Sequence, residues 1–241
     1  MTVVVALKSG DYLQPRGRLL QFEPGIVMAG DTRLSYLGRG NRPAEDDHAK
    51  VDSIGDFAIA GYAGNRDIAT SVLSRLEGAI VRAEDFSPRS IASIAQSMLV
   101  DDDLRNRHLQ PKDRQVQILL GIRDPKTKNF VLYEMATDNG FELQPRDGMA
   151  AIGSHGHYVK EMFDKVRRIA AQLPSDPFKG PEVTLRENLA PFVWFLLDKA
   201  IETAAEVEGT GSLIGGGLHL VVLHSRGVEA MDPDDNVRLR L

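Results

Sequence analysis

The spacing of apolar and polar positions predicts strands at both ends and in the middle of the chain, separated by two pairs of helices. Thr2–Lys8 is an apolar run of strand length, followed by a polar, proline-bearing stretch from Ser9 to Pro24. Gly25–Gly30 predicts a second strand, closed by the turn-like Asp31-Thr32-Arg33. After a polar loop from Gly38 to Ala49, Val51–Ile54 and Phe57–Tyr62 predict a hairpin turning at Gly55-Asp56. Ile68, Val72, Leu73, Leu76 and Ile80 then recur at helical spacing. Ser87-Pro88 supplies an N-cap and a first-turn proline for a second helix, whose stripe is Ile91, Ile94, Ala95 and Met98.

Strands return at Val116–Ile122 and Phe130–Ala136, with a shorter one near Phe141–Leu143. Two more helices follow. Val159, Met162, Phe163, Val166 and Ile169 mark one, and Phe192, Phe195, Leu196, Ala200 and Ile201 mark the other, entered near Pro191. Leu218–Leu223 and Val228–Met231 close the pattern as strands. Paired helices interrupting antiparallel strands predict an α+β fold, a four-layer αββα sandwich in which each helix pair covers the outer face of one sheet. A doubly wound sheet would alternate single strands with single helices.

Composition changes this picture little. At 241 residues, 42% hydrophobic and 26% charged, the chain has the make-up of a globular protein, and no break in composition divides it. One domain over residues 1–241 is expected. A net charge of -5 argues against a nucleic-acid partner. The absence of cysteine removes disulfides, thiolate metal sites and a cysteine nucleophile. No signal peptide or run long enough to span a bilayer is evident, so a cytoplasmic protein without a membrane partner is expected.

Candidate chemistry begins at the second residue. Removal of the initiator methionine would leave Thr2 with a hydroxyl nucleophile and an amine base on one residue. The α-amino group, with an ordinary pKa of about 7.7–8.0, is matched to a base working near neutrality. Taken singly, the other candidates have ordinary explanations. Asp31 and Arg33 make a turn with a charge pair, Lys50 a surface lysine, Gly64 a tight turn, and Gly153-Ser154 a helix start. His155-Gly156-His157 has the look of a metal pair but no acidic or histidine cluster accompanies it, and Asp101-Asp102-Asp103 reads as a solvated run.

Together, and in this order, four stretches resemble the proteasome β-type subunits and their bacterial homologues, within the N-terminal-nucleophile hydrolases. They are Thr2-Val3-Val4-Val5, Gly25 through Arg33, Lys50-Val51 with Ala60-Gly61-Tyr62-Ala63-Gly64, and Ile152-Gly153-Ser154-His155-Gly156. The resemblance implies a threonine-type endopeptidase, without metal or cofactor, acting on unfolded polypeptide or peptides inside a self-compartmentalised homo-oligomer, a ring or related assembly. It also implies a possible ATP-dependent unfoldase as feeder. It assigns Thr2 as nucleophile, Lys50 as the charge beside its hydroxyl, Asp31 as partner of Lys50, the Gly64 N–H as oxyanion donor and Ser154 as support for the Thr2 amine. Arg33 supports Asp31. His48, in the polar loop before Lys50, is expected to border the substrate cleft, and by the same resemblance Tyr62 and Arg66 would line the pocket for the substrate side chain.

The chain departs from the family at three places. The segments Ser9–Pro24 and Gly38–Ala49 are long. The aspartate the family carries after the fourth helix is absent from Glu206–Gly217, which leaves Ser212 or Glu208 to take its place. Two further readings share the same residues: a small-molecule amidohydrolase of the same nucleophile type, and a catalytically inactive, proteasome-like scaffold subunit.

Overall fold

The computed structural model describes residues 2–9, 21–32, 48–82, 85–170, 182–183, 185–208 and 217–231. Most of the two segments read from sequence as long loops, residues 10–20 and 38–47, together with Arg33 and Ser212, lie outside the described residues.

Among the described residues, twelve strands and four α-helices alternate in blocks. The strands are β1 (Val4–Lys8), β2 (Gln21–Phe22), β3 (Gly25–Asp31), β4 (Val51–Ile54), β5 (Ala58–Gly64), β6 (Val116–Arg123), β7 (Phe130–Ala136), β8 (Gln144–Arg146), β9 (Met149–Ile152), β10 (Glu182–Val183), β11 (Leu218–His224) and β12 (Gly227–Met231). The helices are α1 (Arg66–Ile80), α2 (Pro88–Arg105), α3 (Gly156–Ala170) and α4 (Ala190–Glu208). Two five-stranded sheets form, in the orders β12-β11-β3-β1-β9 and β4-β5-β6-β7-β8, and every pairing within them is antiparallel. Strands β2 and β10 make a separate parallel pair. The protein is therefore α+β.

Strand periodicity sorts the apolar residues into three cores. Val3, Val5 and Leu7 of the first strand pack with Val159, Phe163, Leu196 and Ala200 of α3 and α4. The alternate residues Val4 and Ala6 pack with Met28, Ile59 and Leu119, between the two sheets. Ile118, Leu120 and Ile122 of β6 pack with Val72, Leu76, Ile91 and Leu99 of α1 and α2. The sheets approach closely at Gly61, where a Cβ would stand 2.6 Å from Val4 Cγ1 and 2.8 Å from Met28 Sδ.

The helix starts follow local chemistry. Asn65 caps α1, its Oδ1 accepting from the Ile68 N–H at 3.1 Å, and Ser87 caps α2, its Oγ accepting from the Ser90 N–H at 3.3 Å with Pro88 in the first turn. These helices lie where the apolar periodicity predicts them. One strand expectation needs correction. Phe141–Leu143 is not a strand: Gly140 and Phe141 both adopt positive φ after a 3-10 turn, and Phe141 turns its ring into the core under α1 and α2. The pairing resumes only at Gln144. β9 carries little strand signal in the sequence, because Met149-Ala150-Ala151-Ile152 has neither alternation nor β-branched residues before Ile152. That strand pairs with β1 and carries the glycine corner described next.

Candidate active site

Thr2 lies two residues before β1 and is 9% exposed. It shares the parity of Val4 and Ala6, so its side chain belongs to the face that looks toward the second sheet. The next residue is held in an unusual way. The Asp31 N–H donates to the Val3 carbonyl at 3.2 Å, as in an ordinary ladder. The return bond is made by the side chain instead: the Val3 N–H donates to Asp31 Oδ1 at 2.8 Å.

The other oxygen of the same carboxylate, Oδ2, accepts from Lys50 Nζ at 2.8 Å. Lys50 is 1% exposed and Asp31 is 0% exposed, so this ion pair is fully buried. Burial pushes the Asp31 carboxyl above its ordinary range, while the Lys50 ammonium and the Val3 N–H pull it back. A buried ion pair seldom repays its desolvation in stability. Here one carboxylate ties a buried ammonium to the backbone next to Thr2.

Two left-handed glycines form matching corners at this end of the molecule. Gly64 closes β5 with φ 96°, and a Cβ there would collide with the Gln115 carbonyl at the entry to β6. Gly153 follows β9 with φ 95°, and a Cβ there would collide with the Thr2 carbonyl at the entry to β1. A helix opens shortly after each corner. Only a residue lacking Cβ permits this approach.

The ladder also fixes the direction of the Gly64 N–H. The Asn65 N–H donates to the Gln115 carbonyl at 2.7 Å, which makes Gly64 and Val116 a non-hydrogen-bonded pair. The Gly64 N–H therefore points away from β6, on the side where the Tyr62 N–H meets the Lys50 carbonyl at 3.0 Å. Lys50 stands at the entry to β4, so the Gly64 N–H points past the open end of that strand.

The remaining predicted residues fall into two groups. His48, half-buried, bonds Tyr62 Oη through a ring nitrogen and donates its backbone N–H to the Thr32 carbonyl at 3.0 Å. Tyr62 packs its ring under α1, and burial pushes its phenol up to about 12. Arg66 is exposed at the start of α1, and its charge opposes that shift. Ser154 is exposed, and its hydroxyl is bonded to His155 Nδ1 at 2.9 Å. Glu208 is the last residue of α4.

Three participants were not singled out by the sequence. Gln117 Oε1 accepts from the Gly153 N–H at 2.7 Å, across the gap between the sheets. His219 Nδ1–H donates to the Val51 carbonyl at 2.8 Å, tying β11 to the strand that Lys50 immediately precedes. Thr32 exchanges two bonds with Gly217, through its N–H at 3.0 Å and its Oγ1 at 2.8 Å. The available signal was a polar residue at an inward position of an otherwise apolar strand, in Val116-Gln117-Ile118-Leu119 and in Leu218-His219-Leu220. Among the described residues no group of three or more His, Asp or Glu side chains is arranged to hold a metal ion, and no helix is long and apolar enough to cross a membrane. No protein-family model matches the chain.

Proposed function

We propose that the protein is a threonine-type endopeptidase, an N-terminal-nucleophile hydrolase built on a four-layer αββα sandwich. The observation that carries this reading is the buried Asp31–Lys50 pair, anchored to the amide that follows Thr2. A solvated lysine would serve stability as well. A lysine buried beside a threonine hydroxyl supplies a positive charge that favours ionisation of that hydroxyl.

In this reading Met1 is removed and the Thr2 amine becomes the base. The amine takes the proton of Thr2 Oγ as that oxygen attacks the scissile carbonyl. The carbonyl oxygen, now negative, is met by the Gly64 N–H, whose direction past β4 suits an incoming group. The tetrahedral species expels the amine half of the substrate, which leaves with the proton held by the Thr2 amine. An ester on Thr2 Oγ remains. Water then attacks the ester, the Thr2 amine again accepting and returning the proton, and the acid half departs. Every step uses atoms of the chain and water.

Self-compartmentalisation in a homo-oligomer, a ring or related assembly, completes the proposal, with an ATP-dependent unfoldase as the candidate feeder of unfolded polypeptide. Ser154, whose hydroxyl meets His155 Nδ1 at 2.9 Å, is the proposed support for the Thr2 amine.

Intact mass of the purified chain, with and without a peptide epoxyketone, tests the reading. Loss of one methionine plus a single adduct, abolished by Thr2→Ala, is expected. Retention of Met1 in natively expressed protein would sink the threonine mechanism and leave the scaffold reading. An adduct on a monomer or dimer that spares polypeptides would favour the small-molecule amidohydrolase.

A further inference from the structure

Gln117 is a polar side chain on the inward face of β6, where its parity matches that of the inter-sheet residue Leu119. Its Cα pairs with Ala63, one residue before the Gly64 corner. Its carboxamide reaches the other corner, accepting from the Gly153 N–H at 2.7 Å, and Gly153 presses on the Thr2 carbonyl. One side chain thus spans both corners of the candidate site.

The orientation of the carboxamide follows from chemistry. The Gly153 N–H is a donor, so the atom that faces it must be the oxygen, and the NH2 lies on the other branch. No protein group among the described residues bonds that Nε2, and it is not among the buried polar atoms left without a partner. Gln117 is half-buried, and its two N–H donors stand beside the Thr2 entry to β1 without a protein acceptor among the described residues. A site that grips an extended peptide needs such donors for substrate carbonyls, because an unmet buried carbonyl costs more than a met one gains.

We infer that Gln117 is a substrate-binding residue: its Oε1 anchors Gly153, and its Nε2 donates to a main-chain carbonyl of a peptide lying across Thr2. This rests on the endopeptidase reading. It assigns the peptide's backbone, rather than a side chain, as the group recognised at this position.

The test separates the two ends of the carboxamide. Gln117→Glu keeps an oxygen for the Gly153 N–H and removes both donors. Gln117→Met keeps the length and removes both functions. Binding of a fluorescein-labelled, uncharged peptide is measured by polarisation in a Thr2→Ala background, so that turnover does not enter. Thermal unfolding is recorded alongside.

Gln117→Glu is expected to hold the unfolding temperature and weaken peptide binding about tenfold, the loss of one hydrogen bond in a desolvated site. Gln117→Met is expected to weaken binding as much and to unfold earlier. Equal affinity in the parent and Gln117→Glu overturns the assignment of Gln117 while leaving the peptidase reading standing. Absence of peptide binding in the parent overturns both. Should Gln117→Glu lose its fold, undiminished affinity in Gln117→Met overturns the assignment just as well.

Discussion

Replacing Lys50 by methionine would remove the buried ammonium and leave the Asp31 carboxylate with the Val3 N–H as its remaining named donor. Breaking a buried ion pair on one side costs about 3–5 kcal/mol. For a chain of this size each kcal/mol shifts the unfolding temperature by about 2–4 °C, so Lys50→Met is expected to melt roughly 6–20 °C lower at neutral pH. The loss has a pH signature. Burial already raises the Asp31 pKa above 3.8, and the substitution deletes the largest influence that lowers it. A carboxyl whose folded pKa lies above its unfolded value contributes stability that is complete below the unfolded pKa and is lost as pH rises through the folded one. The deficit against the parent should therefore be smaller near pH 5 than near pH 7.5. Thermal unfolding followed by circular dichroism at both pH values reads this directly. The double variant Asp31→Asn/Lys50→Met, which removes both charges and keeps an acceptor for Val3, should recover most of the lost stability. It should still fail to form the epoxyketone adduct. An unchanged melting temperature in Lys50→Met would refute the buried pair, and a double variant that still labels at the parent's rate would refute the chemical role of Lys50.

Three other outcomes are expected. Gly153→Ala forces a Cβ into the Thr2 carbonyl at a left-handed backbone position, and should abolish labelling of Thr2 and lower stability by more than about 1–3 kcal/mol. Gly140→Ala, left-handed at φ 66° but facing open space, is its control and should lose about 1–2 kcal/mol while labelling normally; equal effects at the two sites would show that contact with Thr2 is unimportant. Tyr62, raised from 10.0 to about 12, holds its proton more tightly in the folded state, so its contribution is complete below pH 10 and is lost as pH rises through about 12. Ultraviolet titration should show a late-ionising phenol that disappears in Tyr62→Phe, and an identical titration of the two proteins would contradict its burial. Ser87→Ala removes the α2 cap and should cost about 1 kcal/mol of stability, with labelling unaffected.

Hydrophobic spacing alone determined the block order of strands and helices, because 3.6-residue and two-residue periodicities are properties of local sequence. The stripes Ile68–Ile80 and Ile91–Met98 and the strands from Val116 and Phe130 all stand where that spacing puts them. It failed at β9, whose short apolar run owes its strand character to pairing with β1, and at Phe141, whose direction is set by the left-handed turn before it. The candidate residues Thr2, Asp31 and Lys50 were also legible as residue types in order. What sequence does not carry is convergence. Asp31 and Lys50 meet because β3 and β4 belong to different sheets that approach closely where Gly61 leaves room for Val4 and Met28. Gln117 gains its place only because β6, paired with β5 at the Gly64 corner, meets the Gly153 corner after β9 across the gap between the sheets. A hydrogen bond between residues thirty-six positions apart depends on the register of two sheets, and that register is a property of the packed whole.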